Sequence, residues 1–191
     1  MTLAVFAYGS LVLPDSAALT LGSPVPPPEP ATLRGWCRRW SLCRDNRSAE
    51  KTFAREPGGE LPPFMLGLNL ERVGDSALAP NGALLALSQE ELERLDLREL
   101  RYDRVEVTEE VGDHSFDAVF TYTAKEGHFA PQPPAGAVAL ASYIRTLERG
   151  FNLLGKDQWE RFLQTTGLPP VEMIEAVLVR DAIPPGNPRE W

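Results

Sequence analysis

The stretch Leu95–Arg104, which reads LDLRELRYDR, marks the point at which the sequence changes from a helical to a strand pattern. Upstream of it, Ser88 and Glu91 stand three residues apart, as in a capping box that begins a helix. Downstream, apolar and polar residues alternate from Tyr102 to Val107, which is typical of a strand. The sequence therefore predicts that Glu99 lies at a turn between a helix and a strand, where a carboxylate can point into a cleft.

A second turn is predicted near the N-terminus. The run from Leu3 to Tyr8 is apolar and ends at Gly9, as expected of a buried strand that enters a tight turn. Backbone amides exposed in the turn Tyr8-Gly9-Ser10-Leu11 could meet a ligand. An ordinary turn at the end of a strand would give the same pattern.

The remaining pattern is a series of strands with one short helix, followed by two helices. This order favours an α+β fold over strict βαβ alternation. Many short strands also predict a small, mixed and strongly curved β-barrel with flanking helices. The predicted strands are Arg34–Arg44, Phe64–Leu70, Gly82–Leu87, Phe116–Tyr122 and Met173–Val179, and the predicted late helices are Val138–Gly155 and a helix begun by a second capping box at Asp157 and Glu160.

Length and composition are those of one globular domain. The chain has 191 residues, of which 43% are hydrophobic, enough for a sizeable core. We expect a single domain over residues 1–191, with a proline-rich tail from about residue 182. Other prolines cluster at 24–30, 62–63 and 131–134, where stiff surface connections or a lid are expected.

Charge and cysteine content restrict the partners and the compartment. The net charge of −8 disfavours a nucleic-acid partner, because such binding depends on Lys and Arg at phosphates. No segment supplies the roughly 20 apolar residues that cross a bilayer, so no membrane partner is expected. Cys37 and Cys43 are too few for a disulfide framework, and reduced, cytoplasmic thiols are the expected state. The oligomeric state is left open.

Several catalytic motifs are missing from the sequence. Ser10 is not in a G-x-S-x-G elbow, and the chain has only two histidines, His114 and His128, so a serine triad is disfavoured. Neither a phosphate-binding loop nor a dinucleotide fingerprint is present, and no metal site is expected. Glu99 itself has two interpretations, a catalytic carboxylate or one member of a solvated, salt-bridged surface with Arg98 and Arg101.

Four segments, taken together, resemble the γ-glutamylcyclotransferase superfamily, with the ChaC-like branch nearest. They are Tyr8-Gly9-Ser10-Leu11 after the first strand, GWCRRW at 35–40, NGALL at 81–85, and LDLRE at 95–99 followed by Tyr102. The match in order and spacing extends to about residue 125. The resemblance implies a small mixed β-barrel and an enzyme that, without metal or cofactor, cyclises a γ-glutamyl amide to 5-oxoproline.

The resemblance also implies roles for particular residues. Glu99 matches the catalytic glutamate of the family. The backbone amides of Gly9, Ser10 and Leu11 are expected to hold a substrate carboxylate or the developing oxyanion. The remaining substrate-binding candidates are Tyr8, Tyr122 and Arg39.

The resemblance leaves the substrate open. Glutathione-degrading members carry a glycine pair before the tyrosine, whereas Arg98–Tyr102 contains no glycine, so other γ-glutamyl amides or amines are candidates beside glutathione. Two rival functions are a noncatalytic small-ligand binding module and an aminoacyl or ester hydrolase that uses Ser10. Arginines near Glu99 would favour its ionised form and weaken it as a base. If the segment were strand-like, Arg98 and Arg104 would lie on the face opposite Glu99.

Overall fold

The computed structural model describes residues 1–22, 24–26, 28–74, 78–183, 185 and 187–188. Within these residues three β-sheets are flanked by four α-helices and two short 3-10 helices. The strands are β1 Leu3–Ala7, β2 Glu29–Thr32, β3 Trp36–Asp45, β4 Lys51–Arg55, β5 Phe64–Arg72, β6 Asn81–Leu87, β7 Tyr102–Glu106, β8 Ala118–Ala124, β9 Ala137–Leu140, β10 Glu172–Ile174 and β11 Ala176–Asp181. The α-helices are α1 Pro14–Leu21, α2 Gln89–Arg98, α3 Ala141–Leu154 and α4 Gln158–Thr166, and the 3-10 helices are Ser10–Val12 and Glu126–His128.

The largest sheet has β1 at its centre, in the order β2-β6-β1-β8-β7. β1 pairs antiparallel with β6 and parallel with β8, and all five of its residues are buried. A strand buried on both faces reads as a continuous apolar run, which is why the sequence predicts it well. The turn at Tyr8 therefore begins at the end of the most central strand.

Gly82 lets β6 approach β1 closely. A Cβ atom at this position would lie 2.3 Å from the carbonyl oxygen of Ala7 and 2.7 Å from the ring of Phe6. No side chain fits at such distances, so glycine is required here for the pairing that places the end of β1. The NGALL segment thus has a structural role in forming the turn.

The mixed α+β fold is confirmed, but the predicted closure into a barrel is not found, since no sheet closes on itself among the described residues. β10-β9-β5-β3 form a second sheet, and β11 pairs with β4 in a third. The first two sheets meet where β5 faces β7 and β8. Asn69 Oδ1 accepts from the amide of Ala124 of β8 at 2.7 Å, and Tyr102 of β7 donates its hydroxyl to the carbonyl of Leu68 at 2.8 Å. In a closed barrel, backbone hydrogen bonds between paired strands would join the two sheets. Here side-chain hydrogen bonds join them instead.

Helix α2 begins and ends as predicted. Ser88 is its N-cap in a reciprocal capping box with Glu91, and Leu92 and Leu95 are buried. The helix ends at Arg98 and the next strand begins at Tyr102, so Glu99 lies at the helix-to-strand turn.

The C-terminal part differs from the sequence prediction in three places. The predicted helix from Val138 begins only at Ala141, because residues 137–140 form β9, which pairs in parallel with β5 and β10. Asp157 makes no side-chain cap and has a left-handed backbone with φ of 62°. The predicted last strand is divided at Glu175 between β10 and β11, which belong to different sheets.

Among the strands and α-helices, three others, α1, β2 and β4, were not predicted. β2 begins in the proline-rich segment and β4 pairs only with the distant β11, so their stabilisation is tertiary. No helix of the described residues is long and apolar enough to cross a membrane. β11 ends at Asp181, next to the predicted start of the tail, of which residues 184, 186 and 189–191 lie outside the described residues.

Candidate active site

Glu99 is fixed by its backbone on both sides. Its amide donates to the carbonyl of Leu95 at 2.8 Å, and its own carbonyl accepts from the amide of Tyr102 at 2.9 Å. Its side chain is only 17% exposed and lines two cavities. The solvated-surface interpretation of Glu99 does not fit this position.

The inner pocket lies at the end of β1 and has a volume of about 60 Å³. Tyr8, Gly9, Ser10 and Leu11 all line it, and Glu99 faces the same space. The two stretches separated by almost ninety positions in the sequence are therefore brought together. A volume of this size holds a few water-sized groups, such as the charged ends of a small ligand.

All four tyrosines of the chain line this inner pocket. Tyr8 donates its hydroxyl to the carbonyl of Tyr122 at 2.8 Å, and Tyr122 donates to Asp96 Oδ1 at 2.9 Å. Burial first, and then the charge of Glu99, raise the pKa of Tyr8 well above 10.0. The pKa values of Tyr102, Tyr122 and Tyr143 are also raised, with burial as the largest cause. The pocket wall therefore keeps neutral hydroxyl groups at physiological pH.

Gly9 allows Tyr143 of helix α3 to close one side of the pocket. A Cβ atom on Gly9 would lie 3.1 Å from the Tyr143 hydroxyl oxygen. Tyr143 also packs edge-on against Trp40, with 6.1 Å between the ring centroids. Helix α3 is thus held against the turn at Tyr8–Leu11.

A larger outer cavity of about 400 Å³ opens on the other side of Glu99. It shares Ser10, Glu99, Tyr102 and Tyr143 with the inner pocket. Its other walls come from α1, β3, β4, β5, β9, the turn after α2, the start of α3 and the C-terminal residues Ile183 and Pro188. Its size is within the range of about 300–1,000 Å³ typical of small-molecule sites.

Arg98 contacts Glu99 directly, contrary to the expectation that its side chain points away. Its Nε lies 3.3 Å from Glu99 Oε1. The expectation was wrong because the segment is the end of a helix rather than a strand. The same guanidinium donates to Ser10 Oγ at 3.3 Å and to Thr20 Oγ1 at 2.5 Å. Arg98 thereby ties the turn at Ser10, helix α1 and Glu99 together.

The other two arginines of the segment have their own carboxylate partners. Arg101 pairs with Glu50, and Arg104 pairs with Asp96 at 2.7 Å. Asp96 therefore accepts from both Tyr122 and Arg104. In the D-x-R-E segment, Asp96 and Arg98 hold neighbouring elements while Glu99 faces the cavities.

Arg38 and Arg39 are placed on opposite faces of β3. Arg39, a predicted substrate-binding residue, does not line either cavity; its side chain is 59% exposed and lies 3.5 Å from Glu71. Arg38 is fully buried and donates to the carbonyl oxygens of Tyr8 at 3.2 Å and Asn81 at 2.6 Å. Its partners are neutral, and burial lowers the pKa of this guanidinium to about 9. Arg39 therefore lies apart from the residues that surround Glu99.

Sequence reasoning assigned no site role to four residues that line the cavities or hold the turn at Tyr8: Arg38, Arg98, Tyr102 and Tyr143. For Arg38, alternation in β3 already placed it on the face of Trp36 and Trp40, and a cation on an apolar face signals a buried partner. For Tyr143, the signal is a hydroxyl within the otherwise apolar stripe of α3. No local sequence pattern indicates the role of Arg98, because Ser10, which it contacts, is far away in the sequence.

Two other kinds of site find no support in the described residues. Neither histidine lines the inner pocket or the outer cavity; His114 contacts Thr108 and Phe116 instead. No group of three or more His, Cys, Asp or Glu side chains in the described ranges is placed to hold a metal ion.

Comparison of the sequence with models of known families and with curated proteins finds no match. Solved structures, in contrast, share the fold. A γ-glutamyl cyclotransferase superposes with a TM-score of 0.56 and 14% identity, over 84% of this chain and 85% of its own. YkqA from Bacillus subtilis superposes with a TM-score of 0.57 and 20% identity over 89% of this chain. This chain spans 56% of the length of YkqA.

A third similar structure is a γ-glutamyl cyclotransferase from yeast specific to glutathione. Its TM-score is 0.50 and its identity 16%, over 86% of this chain and 97% of its own. The chain therefore has the γ-glutamyl cyclotransferase fold. The ChaC-like branch is not singled out by these similarities.

Proposed function

We propose that this chain, which has the fold of the γ-glutamyl cyclotransferases, cyclises a γ-glutamyl amide to 5-oxoproline and releases an amine. The observation that carries the proposal is the position of Glu99, a largely buried carboxylate that faces a pocket lined by Tyr8–Leu11. The reaction needs only that the substrate's own α-amine reach its γ-carbonyl carbon. Holding the chain folded supplies much of the acceleration, because the attacking group belongs to the substrate.

Glu99 is assigned as the group that moves protons. The α-ammonium must lose two protons to become the nitrogen of the lactam, and the departing nitrogen gains two to leave as an ammonium. One carboxylate that first accepts and then donates can carry both transfers. The new bond joins the α-nitrogen to the γ-carbon, and the original amide bond breaks. Glu99 lies where the two cavities meet, so it can reach both nitrogens.

The turn at Tyr8–Leu11 is assigned to bind negative charge. Gly9 is the N-cap of the 3-10 helix Ser10–Val12, and the first amide hydrogens of a helix have no acceptor within that helix. Arg38 holds the carbonyl of Tyr8, and in a trans peptide the amide of Gly9 points the opposite way. Fixed donors of this kind stabilise a substrate carboxylate or the oxyanion that develops on the γ-carbonyl.

The experiment is to incubate the protein with a panel of γ-glutamyl amino acids, γ-glutamyl amines and glutathione, and to measure 5-oxoproline. Glu99→Gln is the test variant. Asp103→Asn is the control, because Asp103 is an exposed carboxylate on β7 only four residues away. We expect the wild-type protein and Asp103→Asn to release 5-oxoproline, with at least a ~100-fold lower rate for Glu99→Gln, the usual scale of general acid–base catalysis.

The result also separates the rival functions. Binding of panel members without turnover would indicate a noncatalytic module of the same fold. Release of free glutamate in place of 5-oxoproline would indicate a hydrolase. Either result overturns the proposed cyclisation.

We also propose that the protein acts in the cytoplasm and takes small molecules as its only partners. Cys37 and Cys43 are both free thiols, as expected in a reducing compartment. The acidic net charge opposes association with nucleic acid. Cell fractionation tests the location, and recovery in a membrane or secreted fraction would contradict it.

A further inference from the structure

We infer that Arg38 is a positioning residue of the candidate site: without touching the ligand, its buried charge enables the turn at Tyr8–Leu11 to hold a carboxylate. This role rests on the proposed function and deepens it, because the proposed product, 5-oxoproline, carries a carboxylate. Three features of the structure support it: the place of Arg38 behind the turn, the neutrality of its partners, and the effect of its charge on the inner pocket.

Arg38 lies behind the turn and outside both cavities. Its guanidinium donates to the carbonyl oxygen of Tyr8 at 3.2 Å, yet Arg38 lines neither the inner pocket nor the outer cavity. In a trans peptide the carbonyl and the following amide point in opposite directions, so Arg38 fixes the Tyr8–Gly9 peptide from one side. A hydrogen bond to the carbonyl also polarises the peptide, which makes the amide of Gly9 a stronger donor.

The partners of the Arg38 guanidinium in the described part of the chain are all neutral. They are the carbonyl oxygens of Tyr8 and Asn81, the side-chain oxygen of Asn81, and the hydroxyl groups of Thr165 and Thr166. The ring centroids of Phe162 and Phe151 lie 4.0 Å and 5.0 Å from its central carbon. A fully buried cation that has no opposite charge beside it is costly, and costs of this kind are typical of functional sites. These neighbours hold the guanidinium in place and leave its charge uncompensated.

The charge of Arg38 acts on the inner pocket. Burial first, and then the charge of Glu99, raise the pKa of the Tyr8 and Tyr143 hydroxyls, and the charge of Arg38 opposes that rise in both. Both tyrosines line the inner pocket, so the field of the guanidinium extends into the proposed ligand site. In a site shielded from water, a fixed positive charge favours an anion over a neutral group. A carboxylate held at Gly9 therefore gains from Arg38 without contacting it.

The test compares two ligands that share a lactam ring. 5-Oxoproline carries a carboxylate and 2-pyrrolidone does not, so the ratio of their dissociation constants measures the preference for the anion. We expect the wild-type protein to bind 5-oxoproline at least about tenfold more tightly than 2-pyrrolidone, the scale of one hydrogen bond to a charged group. NMR titrations measure both constants. Equal affinity of the wild-type protein for the two ligands overturns the inference, and this comparison does not depend on the folding of any variant.

Two substitutions separate the charge of Arg38 from its hydrogen bonds. Arg38→Lys keeps the charge, whereas Arg38→Gln keeps a hydrogen-bond donor without the charge. We expect Arg38→Lys to keep the preference for 5-oxoproline to within about threefold of the wild-type value, and Arg38→Gln to reduce it to below about threefold. A purely structural role for Arg38 would instead weaken the binding of both ligands alike and leave the ratio unchanged.

Thr166→Val is the structural control. It removes the hydroxyl that accepts from Arg38 Nε at 2.7 Å, but it keeps the charge and the bond to Tyr8. We expect this variant to be less stable than the wild-type protein and to keep the preference for 5-oxoproline. A loss of preference in Thr166→Val or Arg38→Lys as large as that in Arg38→Gln would mean that packing and not charge is responsible, and would overturn the inference.

The binding ratios are independent of turnover, so two kinds of failure can be told apart. If γ-glutamyl amides are cyclised but the ratio does not depend on the charge at position 38, the inference is wrong and the proposed function stands. If the ratio depends on that charge but no substrate yields 5-oxoproline, the proposed function is wrong and the role of Arg38 at an anion site is supported.

Discussion

Arg98 Nε lies 3.3 Å from Glu99 Oε1, while the same guanidinium bonds Ser10 and Thr20. It therefore orients the proposed proton carrier. We predict that Arg98→Gln lowers kcat/KM by about tenfold to a hundredfold, the cost of a small displacement of a reacting group. Steady-state kinetics measure this effect.

Arg94→Gln is the matched control for Arg98→Gln. Arg94 also joins α2 to α1, through the carbonyl of Thr20 at 3.1 Å, but it does not line either cavity. Arg94→Gln should lose about 1 kcal/mol of stability, the value of a typical hydrogen bond, and Arg98→Gln should lose more, because Arg98 makes three side-chain hydrogen bonds. Only Arg98→Gln should lower kcat/KM. An equal kinetic effect of the two variants would mean that Arg98 acts through the fold alone.

The second prediction concerns the hydroxyl of Ser10. Ser10 Oγ accepts a hydrogen bond from Arg98, whereas its proposed contribution to binding is its backbone amide. Ser10→Ala should therefore reduce kcat/KM by less than about tenfold, as expected from the loss of one hydrogen bond. A hydrolase with Ser10 as nucleophile requires the opposite result, complete loss of activity, and steady-state kinetics distinguish the two.

The third prediction compares two neighbouring arginines of β3. Arg38→Met leaves the carbonyl oxygens of Tyr8 and Asn81 buried without this donor. It should destabilise the fold by at least about 2 kcal/mol, since each unsatisfied buried acceptor costs about 1–3 kcal/mol. Arg39→Met, at an exposed position, should change stability by less than about 0.5 kcal/mol and leave kcat/KM unchanged. Denaturant unfolding and kinetics test the pair, and a large loss of activity in Arg39→Met would restore Arg39 as a substrate-binding residue.

The fourth prediction is that stability falls at alkaline pH because of the buried tyrosines. Burial and the charge of Glu99 raise the pKa of Tyr8 in the folded state, whereas an unfolded tyrosine has a pKa of about 10. The stability that the folded protein gains from the raised pKa of Tyr8 is complete below pH 10. It is lost as the pH rises above 10, because only the unfolded chain then releases the tyrosine proton. Above pH 10, the free energy of unfolding should fall less steeply with pH in Tyr8→Phe than in the wild-type protein, by up to about 1.4 kcal/mol per pH unit. Identical slopes for both proteins would contradict this.

The parts of the fold that sequence predicts well are those with strong local signals. β1 is a continuous apolar run, and α2 starts with a reciprocal capping box, so both were placed within a residue or two. β4 and β9 depend on partners far away in sequence, and β9 was assigned to a helix for that reason. The barrel prediction failed between β5 and β8. The two strands are joined there by the side chain of Asn69 and not by paired backbone hydrogen bonds.

The candidate site likewise contains some residues that the sequence predicts and others that it does not. Glu99 and the turn at Tyr8–Leu11 were brought together as the motifs suggested. The sequence could not place Arg98, because its side-chain direction follows from the end of α2 and its packing on α1. Arg39 was chosen over Arg38 although the alternation of β3 turns Arg38 inward. The alternation of β3 thus already distinguished the buried arginine from the exposed one.

The most direct test of the account follows the γ-carbonyl carbon of a γ-glutamyl amide labelled with 13C at that atom. In NMR spectra, wild-type protein should convert the amide carbonyl signal to that of a lactam, with one equivalent of amine released and no glutamate formed. Glu99→Gln should leave the amide signal in place while still binding the substrate. Unchanged substrate with the wild-type protein, or equally fast lactam formation by Glu99→Gln, would contradict the assignment of Glu99 as the proton carrier of a cyclisation.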